Sequence, residues 1–499
     1  MPPTGAAASV AAATRRAPGM SGAALTVLLT ATFIGQFDFF VVNVAAPSLQ
    51  RDLHASDPYL QLIVGGYAFA YAAGLITGGR LGDQYGHRRM YVAGMAAFTL
   101  SSLACGLAQS PVELVTARLA EGLSAAAMLP QVLALITATF PPESRPRALG
   151  FFGLASGAAA IAGQVLGGAL VAADVAGLGW RVIFLINIPV GAAACVLAAR
   201  WLPRPAARPG RARLDPLGAA GTAGALALAL VPLTVGVDQG WPPWTWAMMA
   251  TAAPVFAGTL WWQQALVRRG GQPVVDLSLF RYPAFKAGLA ANACFLAYFG
   301  SFMFALTLYL QDGLRLDALQ AGLVFAPACV AFSAAALAGS RLLRRYGTRA
   351  MMTGSLVTAT ALAALVIVIH VEPGRTAVAS IVIVTAVGSL GNGAVLPALI
   401  GVPLTDVAPH QAGAGAGVLT TAQQFASSAG VAVIGTIFFA IAGRAHPASG
   451  RYATAMTAAV GTDVALVLAV LATLVITAAR SRRAGRGPAT AGGKPVMSR

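Results

Sequence analysis

The sequence predicts an all-α polytopic membrane protein of fourteen transmembrane helices, arranged as two related six-helix bundles with two extra linker helices between them. Three observations lead there. Of 499 residues, 57% are hydrophobic and only 10% are charged, against roughly 25% charged in soluble domains. The apolar residues fall in runs of about twenty, enough for a helix to cross about 30 Å of hydrocarbon, and they do not alternate as the strands of a membrane barrel would. Finally, the hydrophilic turn Gly79 to Met90, GRLGDQYGHRRM, returns 261 positions later within Gly339 to Met351, GSRLLRRYGTRAM. Gly78, Arg80, Leu81, Tyr85, Gly86, Arg88 and Met90 each meet an identical residue in the second copy, as an internal duplication would leave them.

Taken in order, the chain opens on residues 1–22, rich in Ala, Pro and Thr, read as a disordered cytoplasmic tail ahead of an uncleaved first helix. Spans at 23–47, 59–79, 90–108, 112–135, 147–171 and 182–201 make the first bundle, over 23–201. Residues 202–284 hold a Pro- and Arg-rich cytoplasmic linker and two extra spans, 215–236 and 245–266. Spans at 285–310, 318–340, 350–370, 376–402, 413–442 and 455–478 make the second bundle, over 285–479, and 480–499 form a cytoplasmic tail.

An even number of spans puts both termini on one side. With that side taken as the cytoplasm, 26 of the 33 basic residues fall on inner tails and loops, six fall outside, and Arg118 alone lies within a span. Such an excess is the expected topology signal. The net charge of +17 is accounted for by these loops, and nucleic acid is not an expected partner. Arginine outnumbers lysine 31 to 2, from which no function follows.

Cys105, Cys195, Cys294 and Cys329 each stand alone in an apolar run and are read as structural thiols. No metal site and no cofactor is expected. The phosphate-cradling GxxxxGK(S/T) loop is missing, as are HExxH and GxSxG, so an enzyme is not expected, and any transport by such a chain would have to draw its energy from an ion gradient.

Ionisable groups within a bilayer are unfavourable by about 2.5–3.5 kcal/mol each on insertion scales, so those that persist have a partner or a task. Asp38, in FDFFVVNVAAPSL, is one. Burial disfavours the ionised form of a carboxyl, which suits an acid that takes up and releases a proton; the plainer alternative is a carboxylate bound to a neighbouring donor such as Asn43. Arg118 and Glu121 are three residues apart in LVTARLAEGLSAAAMLP and so share a helical face. They form either a static ion pair or part of a proton-coupling group with Asp38. Asp463 is ambiguous, because a small shift of the last span would place it at the outer surface.

Among neutral polar residues, Asn43, Gln131, Asn392, Gln423 and Gln424 are candidates to line an aqueous cavity or to bond helices together. Gly163, Gly167 and Gly168 let helices approach closely, as packing positions or as a sliding surface. Intramembrane prolines, Pro130, Pro327, Pro397 and Pro403, permit kinks.

These residues resemble motifs of the major facilitator superfamily, and within it the fourteen-helix drug:proton antiporters, over nearly the whole chain. Gly79-x-Leu81-x-Asp83-x-x-Gly86-x-Arg88 is similar to the signature loop between helices 2 and 3. The resemblance implies that Asp83 caps a facing helix N-terminus and pairs with Arg88 as a conformational latch, with Gly79 and Gly86 shaping the turn. Arg118-x-x-Glu121-Gly122 resembles the RxxQG segment whose arginine is linked to proton transfer, with glutamate in place of glutamine. Asp38 followed by Val41, Val42, Asn43, Val44, Ala45 and Pro47 resembles the helix 1 motif of that branch, with Phe40 where threonine is usual. Trp180-Arg181-x-x-Phe184-x-x-Asn187-x-Pro189-x-Gly191 also resembles a segment of that branch. In GQVLGG, from Gly163 to Gly168, the antiporter motif has Gly-Pro where this chain has Gln164; that motif separates exporters from importers.

The resemblance implies a proton-coupled antiporter in the cell membrane, monomeric, that exports small hydrophobic or amphipathic compounds such as drugs, antibiotics and secondary metabolites by alternating access. Its partners are then a small-molecule substrate, protons and the lipid bilayer. The alternatives are a proton-coupled importer of a small metabolite on the same fold and, further off, a membrane sensor or enzyme.

Overall fold

In the computed structural model the described residues are 22–141, 143–202, 215–236, 239–271, 273–372, 374–408, 411–443 and 449–484. Of the tails expected over 1–22 and 480–499, residues 1–21 and 485–499 lie outside them, as do linker residues 203–214, while 480–484 continue the last helix. Among the described residues there is no strand. The long helices are α1 (Gly22–Asp52), α2 (Asp57–Tyr85), α3 (His87–Leu107), α4 (Pro111–Thr139), α5 (Arg145–Ala172), α6 (Asn187–Trp201), α7 (Pro216–Val235), α8 (Pro243–Arg268), α9 (Pro283–Leu308), α10 (Ala318–Tyr346), α11 (Thr348–Val371), α12 (Ala377–Val395), α13 (Ala412–Ala442) and α14 (Ser449–Ala484).

Among the described residues, thirteen helices are long and apolar enough to cross a membrane. The exception is α8, where the fourteenth span was expected. It is 26 residues long, but Thr245, Thr251, Thr259, Gln263 and Gln264 dilute its apolar content and Trp244, Trp246, Trp261 and Trp262 crowd its two ends, the composition of a helix anchored at both membrane interfaces. It packs along α7.

Local signals start and stop these helices. Ser110 caps α4 by accepting from the Glu113 N–H at 3.3 Å, and Asp317 and Gln320 close a reciprocal capping box on α10 at 2.7 and 3.2 Å. The two copies of the arginine-rich turn behave alike. Gly86 between α2 and α3 has φ +94°, and Gly347 between α10 and α11 has φ +57°, a region open to glycine at no steric penalty.

The packing repeats with the same offset of eight helices. In the first bundle α4 packs on α2 and α3, α5 on α1, and α6 on α1 and α3; in the second, α12 packs on α10 and α11, α13 on α9, and α14 on α9 and α11. Between the bundles, α2 meets α13 and α5 meets α10. Each of these contacts has its counterpart, so the fold is two six-helix bundles related by a pseudo-twofold, with α7 and α8 added.

The large apolar core runs between the bundles at one end, while at the other Ile76 of α2 packs on a small cluster with Phe285, Val418 and Leu419. Away from the arginine turns, Leu49, Leu60, Leu114 and Phe184 share a core with Phe304, Leu310 and Phe325. Nearer the turns the first bundle has its own core around Leu28, Tyr67, Met128 and Leu135. The bundles are thus sealed together at the end far from the arginine turns.

The linker helices are tied down by one acid. Asp215 caps α7 by accepting from the Gly218 N–H at 2.9 Å, and also accepts from Trp262 Nε1 at 2.9 Å, Gln263 Nε2 at 2.8 Å and the Val274 N–H at 3.4 Å. Burial pushes its carboxyl up, but these donors, Trp262 first, outweigh burial and hold it below its ordinary value of 3.8. A depressed carboxyl adds stability that is present above its unfolded value and is lost as pH falls through the folded one. Asp215→Ala should therefore destabilise the protein by about 0.5–2 kcal/mol from the lost cap alone. In thermal unfolding the deficit should be full at pH 7 and shrink below about pH 4; an equal deficit at pH 3 would be the contrary result.

Candidate functional site

The i, i+3 spacing of Arg118 and Glu121 turns both toward the first bundle's interior, where α1 brings Asp38 to meet them. All three are fully buried. Arg118 Nη1 donates to Asp38 Oδ2 and, at 2.7 Å, to Glu121 Oε2. Its Nε donates to the Ile63 carbonyl at 3.3 Å, and its guanidinium lies 4.7 Å from the centre of the Tyr67 ring and 5.6 Å from that of Phe184. The Cys105 thiol donates to Glu121 Oε2 at 3.4 Å. Asp38 Oδ1, Glu121 Oε1 and Arg118 Nη2 have no hydrogen-bond partner among the described residues.

One guanidinium thus serves two carboxyls. With both ionised the group carries a net single negative charge in a low-dielectric interior, where an uncompensated charge is strongly unfavourable; one added proton makes it neutral. The arrangement can hold and give up a proton. Asn43, the alternative partner for Asp38, donates instead to the Phe39 carbonyl at 3.3 Å.

At the arginine turn the partners differ from those the resemblance implied. Asp83 is more than half exposed and lies 3.5 Å from His87 Nε2. Arg88 sits on the face of α3 that packs on α6 and donates to the carbonyls of Ala198, at 3.4 Å, and Ala199. A cation at a helix C-terminus is favourable on dipole grounds. Gly79 stands opposite Pro130 of α4, and Gly86 makes the turn. Gln131 belongs here and not to a cavity: its Nε2 donates to the Gly78 carbonyl at 2.9 Å and its Oε1 lies 2.8 Å from His87 Nδ1, so it bonds α4 to the turn. Arg80 reaches from the same turn to the Pro273 carbonyl.

The three glycines of α5 divide between two tasks. Gly163 and Gly167 face α1, a Cβ at Gly163 falling 2.8 Å from that of Phe40, while Gly168 faces Ala318 and Leu319 of α10, in the other bundle. Gln164 is fully buried; its Nε2 lies 3.9 Å from Met303 Sδ and its backbone carbonyl faces Gly322 of α10.

A narrow pocket lies between the bundles, lined by Phe39, Asn43, Gly65, Phe299, Ser427 and Ser428 among others. Asn43 therefore does face the seam, on the helix that carries Asp38. Gln423 and Gln424 are half-buried about one turn along α13 from Ser427, outside that lining. Asn392 is held within the second bundle, accepting from Thr358 Oγ1 at 3.0 Å and donating to the Tyr298 hydroxyl at 2.9 Å. Asp463 is fully buried, which removes the surface alternative. Tyr67 and Cys105 were not anticipated as members of the cluster, since an isolated Tyr or Cys in an apolar run carries no local signal of it.

Comparison with known proteins gives one family. Residues 28–431 match the family model described as Major Facilitator Superfamily. The chain is 39% identical over 428 residues to the probable actinorhodin transporter of Streptomyces coelicolor, covering 86% of this chain and 74% of that protein. It is 35% identical over 427 residues to the cephamycin export protein CmcT of Amycolatopsis lactamdurans, covering 83% and 84%. Among solved structures, a bacterial homolog of the human lysosomal transporter Spinster, in an inward-facing and occupied conformation, superposes with a TM-score of 0.64 at 18% identity, covering 92% of this chain and 96% of that one.

Proposed function

The chain belongs to the major facilitator superfamily, and from that premise we propose that it is a proton-coupled antiporter that exports small hydrophobic or amphipathic compounds by alternating access. The buried Asp38, Arg118 and Glu121 cluster carries this reading. It lies inside the first bundle, on the helix whose Asn43 lines the pocket between bundles, and its charge balance changes with a single proton. A relative named a cephamycin export protein supports the outward direction, and with the probable actinorhodin transporter it supports the substrate class of drugs, antibiotics and secondary metabolites.

The moving units are the bundles over 23–201 and 285–479, with the linker and extra helices of 202–284 between them. The basic residues of the arginine turns support a reading in which that end, and both termini, face the cytoplasm with the protein in the cell membrane. The end sealed by shared core is then the outer one, and this state is closed to the outside. Asp83, His87 and Arg88 lie at the opposite end, where their contacts hold the first bundle's own helices together as the bundles rock. A proton bound from outside neutralises the cluster in one state; its release to the cytoplasm accompanies the return, and substrate moves the other way.

The test is accumulation of a fluorescent dye in cells with and without the gene, each with and without a protonophore. Asp38→Asn is expected to abolish gradient-driven efflux while the protein still inserts at normal levels. Undiminished efflux by that variant would take Asp38 out of the mechanism, and net uptake driven by the same gradient would favour an importer.

A further inference from the structure

The Arg118 cluster leaves one buried acid unused. Asp463 lies near the middle of the span Gly450–Ala479 of α14 and is fully buried. Its Oδ1 is 2.8 Å from Ser301 Oγ of α9, and its Oδ2 has no hydrogen-bond partner among the described residues. Ser301 Oγ is also 2.7 Å from the Ala297 carbonyl and 2.9 Å from that of Tyr298.

A hydroxyl has one hydrogen to donate. If Ser301 gives it to the backbone, its contact with Asp463 is attractive only when the acid carries a proton and donates it. If Ser301 gives it to Asp463, an ionised carboxylate stands in the bundle with one neutral donor, which is strongly unfavourable in hydrocarbon surroundings. Both branches favour an acid that carries a proton in this state.

Among the described residues no cation pairs with Asp463. On α9 the titratable groups are Tyr298, close enough to feel the charge of Asp463, Cys294, and Lys286, whose position 15 residues before Ser301 puts it about 22 Å away along the helix. On α11 they are Arg349 and His370, at its two ends; α13 has none; and on α14 Arg451 and Tyr452 lie at the start, with Arg480, Arg482 and Arg483 toward the other end. Asp312, beyond the end of α9, feels Arg51 and Arg315 instead. Polar groups do continue the site. The Tyr298 hydroxyl accepts from Asn392, which accepts from Thr358, so α9, α11, α12 and α14 each contribute one or more side chains to a buried polar group in the second bundle.

We propose that Asp463 is a second proton-exchanging carboxyl, seated in the second bundle apart from the Arg118 cluster and flanked by Ser301 and Tyr298. A proton from water binds at Oδ2 in one state of the transport cycle and returns to water in the other; only that O–H bond forms and breaks. The proposal rests on the proton-coupled reading, but its test needs no transported compound.

In the full chain reconstituted in lipid, pH-difference infrared spectra should contain a protonated-carboxyl C=O band that titrates. Asp463→Asn should lose it, Glu121→Gln should keep it, and Ser301→Ala should shift its midpoint without removing it. If Asp463→Asn does not fold, the Ser301→Ala shift decides. Spectra in which every titrating band survives Asp463→Asn, or an unmoved midpoint in Ser301→Ala where Asp463→Asn is lost to misfolding, would overturn the proposal. A titrating Asp463 band together with undiminished efflux by Asp38→Asn would keep this site and reject coupling through Asp38. The reverse pair of results would reject this site alone.

Discussion

Arg118→Leu is expected to abolish transport and to destabilise the protein by about 3–5 kcal/mol, the penalty for removing one partner of a buried ion pair. The size follows from what is left behind. Asp38 and Glu121 each accept from Arg118 and are fully buried; without the guanidinium, Glu121 is left with neutral donors such as the weak Cys105 thiol on Oε2, and the packing of the guanidinium on Tyr67 is lost as well. Apparent thermal midpoints of the purified protein measure the loss. Adding Asp38→Asn and Glu121→Gln to Arg118→Leu should recover a large part of the stability and none of the transport, because the neutral amides no longer need a counter-charge but cannot carry a proton. A triple variant as unstable as the single one would mean that packing, not charge, explains the effect.

Gly168→Val is expected to bias the protein toward the state open at the end now sealed. A Cβ at Gly168 would fall 3.0 Å from the Ala318 carbonyl carbon and 3.1 Å from the Leu319 Cα, and backbone cannot step aside as a flexible side chain can. Overpacking of this kind is unfavourable by about 1–3 kcal/mol, which corresponds to a population shift of roughly 5–150-fold if the bundles separate to relieve it. Val44, whose carbonyl accepts from Gln311 of the other bundle at 2.7 Å, reports on that end. A cysteine placed there should react faster with an impermeant maleimide in the Gly168→Val background, and transport should fall. Gly163→Val strains contacts within the first bundle only, so it should lower stability without that change in labelling. Equal labelling in both backgrounds would place the moving seam elsewhere.

Much of this was legible in the chain because membrane helices satisfy their backbone hydrogen bonds locally. Runs of apolar residues therefore announce the spans one by one, and the duplicated turn, with a glycine at positive φ in both copies, announces the two halves. Arg118 and Glu121 could be paired by spacing alone, since a helix puts i and i+3 on one face.

Which faces meet across the fold has no such local record. Asp38 reaches Arg118 across 80 positions of sequence, Arg88 turns to the end of α6 instead of Asp83, and Gln131 bonds the turn instead of lining a cavity. Asp463 could not be told from a surface residue until α9 was packed against it. Hydropathy sets that a segment lies in the membrane, and helix periodicity sets which residues share a stripe. The partner of each stripe, and so the electrostatic setting of each acid, is decided only when all the helices pack together, because side-chain contact between distant segments depends on their relative position and not on either segment's own composition.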